Sequence, residues 1–129
     1  MNEPRILVAD DDKDAVLSLT VLLRHEGYHV RGVHRGSEVL QAIFHFAPDV
    51  VLLDIGMPHM TGYEVARTLR ERYGSARPAL IAVTGRTGED DRQQARAAGF
   101  EHHVAKPYEP QALLRLVRAL AEAHARGEQ

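Results

Sequence analysis

Residues Val50-Val51-Leu52-Leu53 form an unbroken apolar run, half of it β-branched, that leads directly into Asp54. Such a run reads as a strand buried on both faces, the habit of a central strand in a parallel sheet. Pro58 follows closely and cannot donate to a ladder, so the strand ends before it. Asp54 therefore stands at the carboxyl end of a buried strand, where open α/β sheets gather ligand and catalytic groups. An aspartate ending a strand is also a common turn former, and this stretch alone leaves both readings open.

The same arrangement recurs along the chain. Arg5-Ile6-Leu7-Val8-Ala9 is an apolar run ending in Asp10-Asp11-Asp12. Val16, Leu19, Leu22 and Leu23 then recur at helical spacing, and Gly27 lies where a left-handed cap would stop that helix. Residues 28–33 read as a second strand. Gly36-Ser37 opens the next helix with Ser37 as its cap, Val39, Leu40, Ile43 and Phe44 as its buried stripe, and Pro48 as its end. After the Asp54 strand, Thr61-Gly62-Tyr63-Glu64 matches a capping box. Val65, Ala66 and Leu69 give that helix its apolar face, and Gly74 ends it.

Residues 78–83 form a fourth strand delivering Thr84, and residues 89–98 a helix whose inward candidates are mostly alanines, which makes it the least firmly held. Residues 101–105 form a fifth strand delivering Lys106-Pro107. Pro110 suits a first helical position, and Leu113, Leu116, Val117 and Leu120 stripe the last helix. Five βα units with short connections keep consecutive strands parallel, and right-handed crossovers place helices on both faces. The expectation is one α/β domain over residues 1–125 with a short tail at 126–129. Met1 lies only a few residues before the first strand, which favours a natural start over an internal excision and leaves open a piece from the front of a longer protein.

Composition narrows the function. The 129 residues contain no cysteine, which excludes a disulfide framework, a thiolate metal site and a cysteine nucleophile. A net charge of −2 argues against a duplex-binding face, so direct nucleic-acid contact is not expected. No apolar run approaches the roughly 20 residues that span a bilayer, and the amino terminus lacks the marks of a signal peptide. A soluble, cytoplasmic protein is expected.

In a parallel sheet all carboxyl ends share one edge. That edge collects Asp10 and Asp11, Asp54, Thr84 and Lys106. The apolar run ending at Ala9 favours Asp10 and Asp11 as the site pair, leaving Asp12 as a solvated or capping residue. Crowded carboxylates repel and need a counter-charge, which a hard divalent cation such as Mg²⁺ supplies through oxygen ligands. An ammonium and a hydroxyl beyond Asp54 suit an anion with oxygens in several directions, and a phosphoryl group fits. The constellation is suited to phosphoryl transfer onto the Asp54 carboxylate.

Ile6-Leu7-Val8-Ala9-Asp10-Asp11, Asp54-Ile55-Gly56-Met57-Pro58, Thr61-Gly62-Tyr63-Glu64, Thr84-Gly85 and Lys106-Pro107, in this order and at these spacings, resemble the receiver domain of the two-component response-regulator family. The resemblance covers nearly the whole chain. It implies the flavodoxin-like, CheY-like strand order 2-1-3-4-5, for which a chemotaxis receiver is a standing example. It implies Asp54 as phosphoacceptor, Asp11 as a direct Mg²⁺ ligand, Asp10 as a ligand acting largely through water, and the Gly56 backbone carbonyl as a further ligand. Thr84 would bond a phosphoryl oxygen, Lys106 would pair with the phosphoryl group, and the Lys106-Pro107 bond would be cis. Within the family, this makes the chain a signalling module, not an enzyme acting on a separate substrate. It implies a histidine kinase or phosphotransfer protein as donor and a downstream protein on the surface of helix 4, strand 5 and helix 5, with the chain itself a monomer or weak homodimer.

The sequence departs from the family pattern at His103, where a tyrosine or phenylalanine is usual. Two readings stay open there: a switching ring, with added sensitivity to pH, or a partly exposed histidine with no such role. His102 and His103 point to opposite faces of a strand and cannot readily chelate one ion. Gly56 and Arg86 flank the phosphoryl position in the family and modulate its loss. Gly56 leaves the approach open, and Arg86 either shields the site or is a solvated cation. Two other functions are disfavoured by single features. A phosphatase with an aspartyl-phosphate intermediate usually carries a second acid where Gly56 stands, and a flavodoxin needs a phosphate-cradling loop where Asp10-Asp11-Asp12 would repel the phosphate.

Overall fold

The computed structural model describes residues 3–74 and 78–125. In chain order they form β1 (Arg5–Ala9), α1 (Lys13–His25), β2 (His29–Val33), α2 (Gly36–Phe46), β3 (Val50–Leu53), α3 (Gly62–Tyr73), β4 (Ala79–Thr84), α4 (Glu89–Ala98), β5 (His102–Ala105) and α5 (Pro110–Ala125). The strands make one parallel sheet in the order β2-β1-β3-β4-β5, as expected. The tail at 126–129 lies outside the described residues.

Successive side chains on a strand point to opposite faces, so a run that is apolar throughout feeds two cores at once. Leu7, Val51, Leu53, Leu80 and Ala82 pack with Val39, Ile43 and Phe46 of α2, Val65 and Leu69 of α3, and Ala95 and Ala98 of α4. On the other face Ile6, Val8, Val50, Leu52, Ile81 and Val83 pack with Val16, Leu19 and Leu23 of α1 and Leu113, Leu114 and Val117 of α5. β1, β3 and β4 are almost wholly buried, whereas β2 and β5 carry exposed residues and stand at the edges.

Local signals set most boundaries. The Asp12 carboxylate caps α1 by accepting from the N–H groups of Asp14 and Ala15. Thr61 and Glu64 form the full capping box at α3, and Gly74 is its C-cap. Pro110 opens α5, with the Glu109 carboxylate accepting from Gln111 and Ala112 N–H.

Two expectations for α2 are corrected. Ser37 is not its cap: the N-cap is Arg35, which makes no side-chain capping bond, and Glu38 reaches back to accept from His34 N–H at 3.0 Å. The buried stripe is Val39, Ala42, Ile43 and Phe46, while Phe44 is 77% exposed. Phe46 wins the inward place because its ring is closed over by β2, edge-on to His29 and beneath the Arg31 guanidinium at 4.7 Å. On α5 the fully buried residues are Leu113, Leu114, Val117 and Ala121, with Leu116 and Leu120 only half-buried.

Candidate functional site

The parallel ladder runs one residue beyond its strands and thereby builds the site. Asp54 N–H donates to the Ala9 carbonyl at 2.9 Å and Asp10 N–H to the Val33 carbonyl at 3.2 Å, which sets the two aspartates side by side. On the other side Lys106 N–H donates to the Thr84 carbonyl at 3.0 Å. The edge therefore brings together Asp10, Asp11, Asp54, Thr84 and Lys106 as the sequence implied. The Lys106–Pro107 peptide is cis.

Each of Asp10, Asp11 and Asp54 offers a carboxylate oxygen, and all three oxygens lie within 4.8 Å of one another. Asp10 is buried, Asp54 half-buried and Asp11 exposed. Like charges this close repel one another, so the trio calls for cations. Lys106 supplies one: its ammonium lies 2.5 Å from Asp10 Oδ2 and 3.6 Å from Asp54 Oδ2. Burial pulls that ammonium toward the neutral form, but the hydrogen bond to Asp10 and the charges of Asp54 and Asp10 outweigh it. The net effect raises its pKa above the usual lysine value. One lysine cannot balance three carboxylates. The donor set, hard oxygens on short side chains with one exposed member, fits a hydrated divalent ion such as Mg²⁺.

Asp12 stands apart from the trio, its carboxylate spent on capping α1, while its own N–H donates to Asp10 Oδ1 at 3.0 Å. Gly56 N–H donates to Asp54 Oδ1 at 3.2 Å, orienting the carboxylate. A methyl group built on Gly56 would touch Asp54 Oδ1 at 3.9 Å and Arg86 Nε at 3.8 Å, so the Arg86 guanidinium sits over the open side of the glycine. Thr84 is 1% exposed, and its hydroxyl accepts from Arg86 N–H at 3.2 Å. A cavity of about 460 Å³ opens beside Asp54 and Lys106, walled by Val8, Leu19, Leu52 and Val83.

His103 pairs with Ala82 of β4, two rungs back from the Thr84–Ala105 pair and on the same sheet face as Thr84. Both of its ring nitrogens are shut off from water and have no hydrogen-bond partner among the described residues. His102, its neighbour, is exposed. Two contacts near the site carried no local sequence signal: His34 Nδ1 lies 3.2 Å from the Asp10 carbonyl, and the Tyr63 hydroxyl bonds to Asp91. Both join residues distant in sequence, and only the packing of neighbouring βα units reveals them.

A doubly wound parallel sheet with an acidic trio, a lysine and a threonine on its carboxyl edge defines a narrow class of α/β proteins. Residues 6–118 match the family described as response regulator receiver domain, and the chain belongs to that family, the receivers of two-component systems. It is similar to the DNA-binding response regulator MtrA of Mycolicibacterium smegmatis, 37% identical over 115 residues, which are 89% of this chain and 49% of that protein. Among solved structures it resembles a CheY-like receiver domain protein from Methanospirillum hungatei, with TM-score 0.87, 28% identity and coverage of 98% and 99% of the two chains. The Vibrio cholerae chemotaxis protein CheY4 superposes with TM-score 0.86 at 25% identity, covering 92% of this chain and 99% of that one. The chain spans about half the length of curated relatives such as MtrA. Among the described residues no helix is long and apolar enough to cross a membrane.

Proposed function

We propose that Asp54 accepts a phosphoryl group from a phosphohistidine of a sensor histidine kinase or a phosphotransfer protein, in the cytoplasm and in the presence of Mg²⁺. The observation that carries this reading is the convergence of three carboxylates, Lys106 and Thr84 on one sheet edge. Asp10, Asp11, Asp54 and the Gly56 carbonyl would hold Mg²⁺, which when bound neutralises charge on the phosphoryl oxygens. Asp54 Oδ attacks phosphorus as the P–N bond to the donor imidazole breaks, and the electron pair leaves with that imidazole. Lys106 shifts from Asp10 toward the new phosphoryl oxygens, and the buried Thr84 hydroxyl gives up Arg86 N–H to donate to one of them. Arg86, beside Gly56, screens the product from water.

His103 is read as the ring that reports this change, because a half-buried ring whose two nitrogens have no hydrogen-bond partner among the described residues is easily re-sited. The surface of α4, β5 and α5 then alters its contacts with a downstream protein. Direct nucleic-acid binding is not assigned to these residues, and a monomer or weak homodimer is expected. Incubation with acetyl phosphate and Mg²⁺ followed by intact-mass measurement tests the reading. The expected outcome is a Mg²⁺-dependent phosphoryl adduct on the wild type and none on Asp54→Asn. An adduct that persists on the variant, or none on the wild type, overturns it.

A further inference from the structure

α4 is held to α3 by polar pins at its two ends more than by apolar surface. Only Ala95 and Ala98 of α4 are buried. At its C-terminal end, Arg70 of α3 donates to the Gly99 carbonyl from Nη2 at 2.8 Å and from Nε at 3.2 Å. Gly99 has φ +112°, and a Cβ there would lie 2.5 Å from the Arg70 stem, so this end is closely fitted. At the N-terminal end the Tyr63 hydroxyl donates toward Asp91, 3.1 Å from its backbone carbonyl and 3.3 Å from Oδ1. The Gly88 N-cap of α4 offers no side chain. Among the described residues, Tyr63 is the one side chain from another element that hydrogen-bonds the first turn of α4.

The Tyr63 end of this contact is rigid. Gly62 N–H donates to the Ile55 carbonyl at 2.9 Å. A Cβ on Gly62 would lie 2.6 Å from Ile55 Cα and 2.8 Å from the Asp54 carbonyl, so α3 begins in direct contact with the backbone that presents Asp54. The Tyr63 ring is only 7% exposed. Burial first, then the charge of Asp91 and the hydrogen bond to it, hold the phenol above its ordinary pKa, which keeps the hydroxyl a donor. On the other side, α4 is preceded by the loop that carries Arg86, whose N–H occupies the Thr84 hydroxyl.

We propose that Tyr63 is a positioning residue for the phosphoryl site: its hydroxyl ties the first turn of α4 to the rigid start of α3 and so holds the Thr84–Arg86 loop in its resting place. This rests on the phosphoacceptor reading above. The Arg86 N–H contact holds the Thr84 oxygen in its resting position while leaving its O–H free to donate; carrying that oxygen toward an incoming anion breaks the contact unless the loop, and α4 behind it, moves as well. The tether opposes that movement. Removing it shifts the population toward the state an anion selects, by the worth of one hydrogen bond, about threefold to tenfold in an equilibrium constant.

Hydrogen exchange of the full chain, together with Mg²⁺-dependent beryllofluoride binding, tests this with Tyr63→Phe, which keeps the ring and loses only the hydroxyl. Expected results are faster exchange confined to residues 89–95 and beryllofluoride affinity about threefold to tenfold tighter than wild type. Asp91→Asn keeps both acceptor oxygens and is expected to match the wild type in both measurements. Unchanged exchange in Tyr63→Phe overturns the tether, and faster exchange with unchanged affinity overturns its positioning role. A wild type that binds no beryllofluoride overturns the phosphoacceptor reading, and with it the positioning role, while the exchange data still decide whether the tether exists.

Discussion

Asp11 is the exposed member of the acidic trio, and no cation pairs with it among the described residues; Lys106 reaches Asp10 and Asp54 instead. Its charge therefore only repels until a metal is bound. Asp11→Asn is expected to act with opposite signs on stability and on metal binding. Relief of exposed repulsion is worth about 0.5 kcal/mol, a rise in Tm of about 2 °C without Mg²⁺. Loss of a charged oxygen ligand should weaken Mg²⁺ at least as much as loss of an outer-shell partner does, about tenfold to a hundredfold. Thermal melts with and without Mg²⁺ read both effects, and a variant that melts lower without metal contradicts the account. The trio was legible in the sequence because apolar runs ending in Asp10 and Asp54 fix which residues reach the sheet edge. Lys106 sitting on Asp10 rather than midway between the carboxylates was not legible. That choice follows from burial and from distances between strands that no residue pattern records.

The phase of α2 shows where reading an element from its residues falls short. Its sequence, Val39-Leu40-Gln41-Ala42-Ile43-Phe44-His45-Phe46, supports two apolar stripes one residue apart. The stripe containing Phe44 has the more apolar residues around it, since its competitor contains an alanine. The structure takes the other because Phe46 at the end of the helix can reach β2 and close beneath Arg31. The helix start was misread for a related reason. Glu38, the third helical residue, reaches back to the His34 N–H just before the helix, while its own N–H goes to the Arg35 carbonyl, so the start is fixed without a serine cap, and a glutamate at that place was the usable signal. Alanine substitution separates the two stripes. Phe46→Ala is expected to cost about 3 to 4 kcal/mol and Phe44→Ala no more than about 0.5 kcal/mol in urea unfolding. The reverse order would restore the stripe read from sequence.

At the scale of the molecule, the order of the strands follows from which runs are apolar without interruption. β1, β3 and β4 are nearly all buried and occupy the centre, while β2 and β5 mix in histidine and arginine and take the edges. Burial around the sheet raises the tyrosines and lowers Arg70 of α3, since in each case it disfavours the charged form. Tyr28, Tyr63 and Tyr108 are all raised above the ordinary phenol value, each chiefly by burial. Lys106 is also raised: burial acts against its charge, but Asp10 and Asp54 prevail. A group whose folded pKa lies above its unfolded value stabilises the fold fully below the unfolded pKa, and that contribution is lost as pH rises through the folded pKa. The unfolded values are about 10 for tyrosine and about 10.4 for lysine, so the four contributions are intact at pH 8 and decline together above about pH 10. Urea unfolding at a series of pH values is expected to show a steep alkaline limb. Tyr63→Phe and Tyr108→Phe should each make that limb shallower while leaving its direction unchanged. Lys106→Met should flatten it as well, although its partners are carboxylates rather than the core, because linkage registers only the difference in protons bound between folded and unfolded chains. A wild-type stability that holds level from pH 9 to pH 11 would show that these tyrosines and Lys106 do not hold their protons more tightly in the folded chain than in the unfolded one.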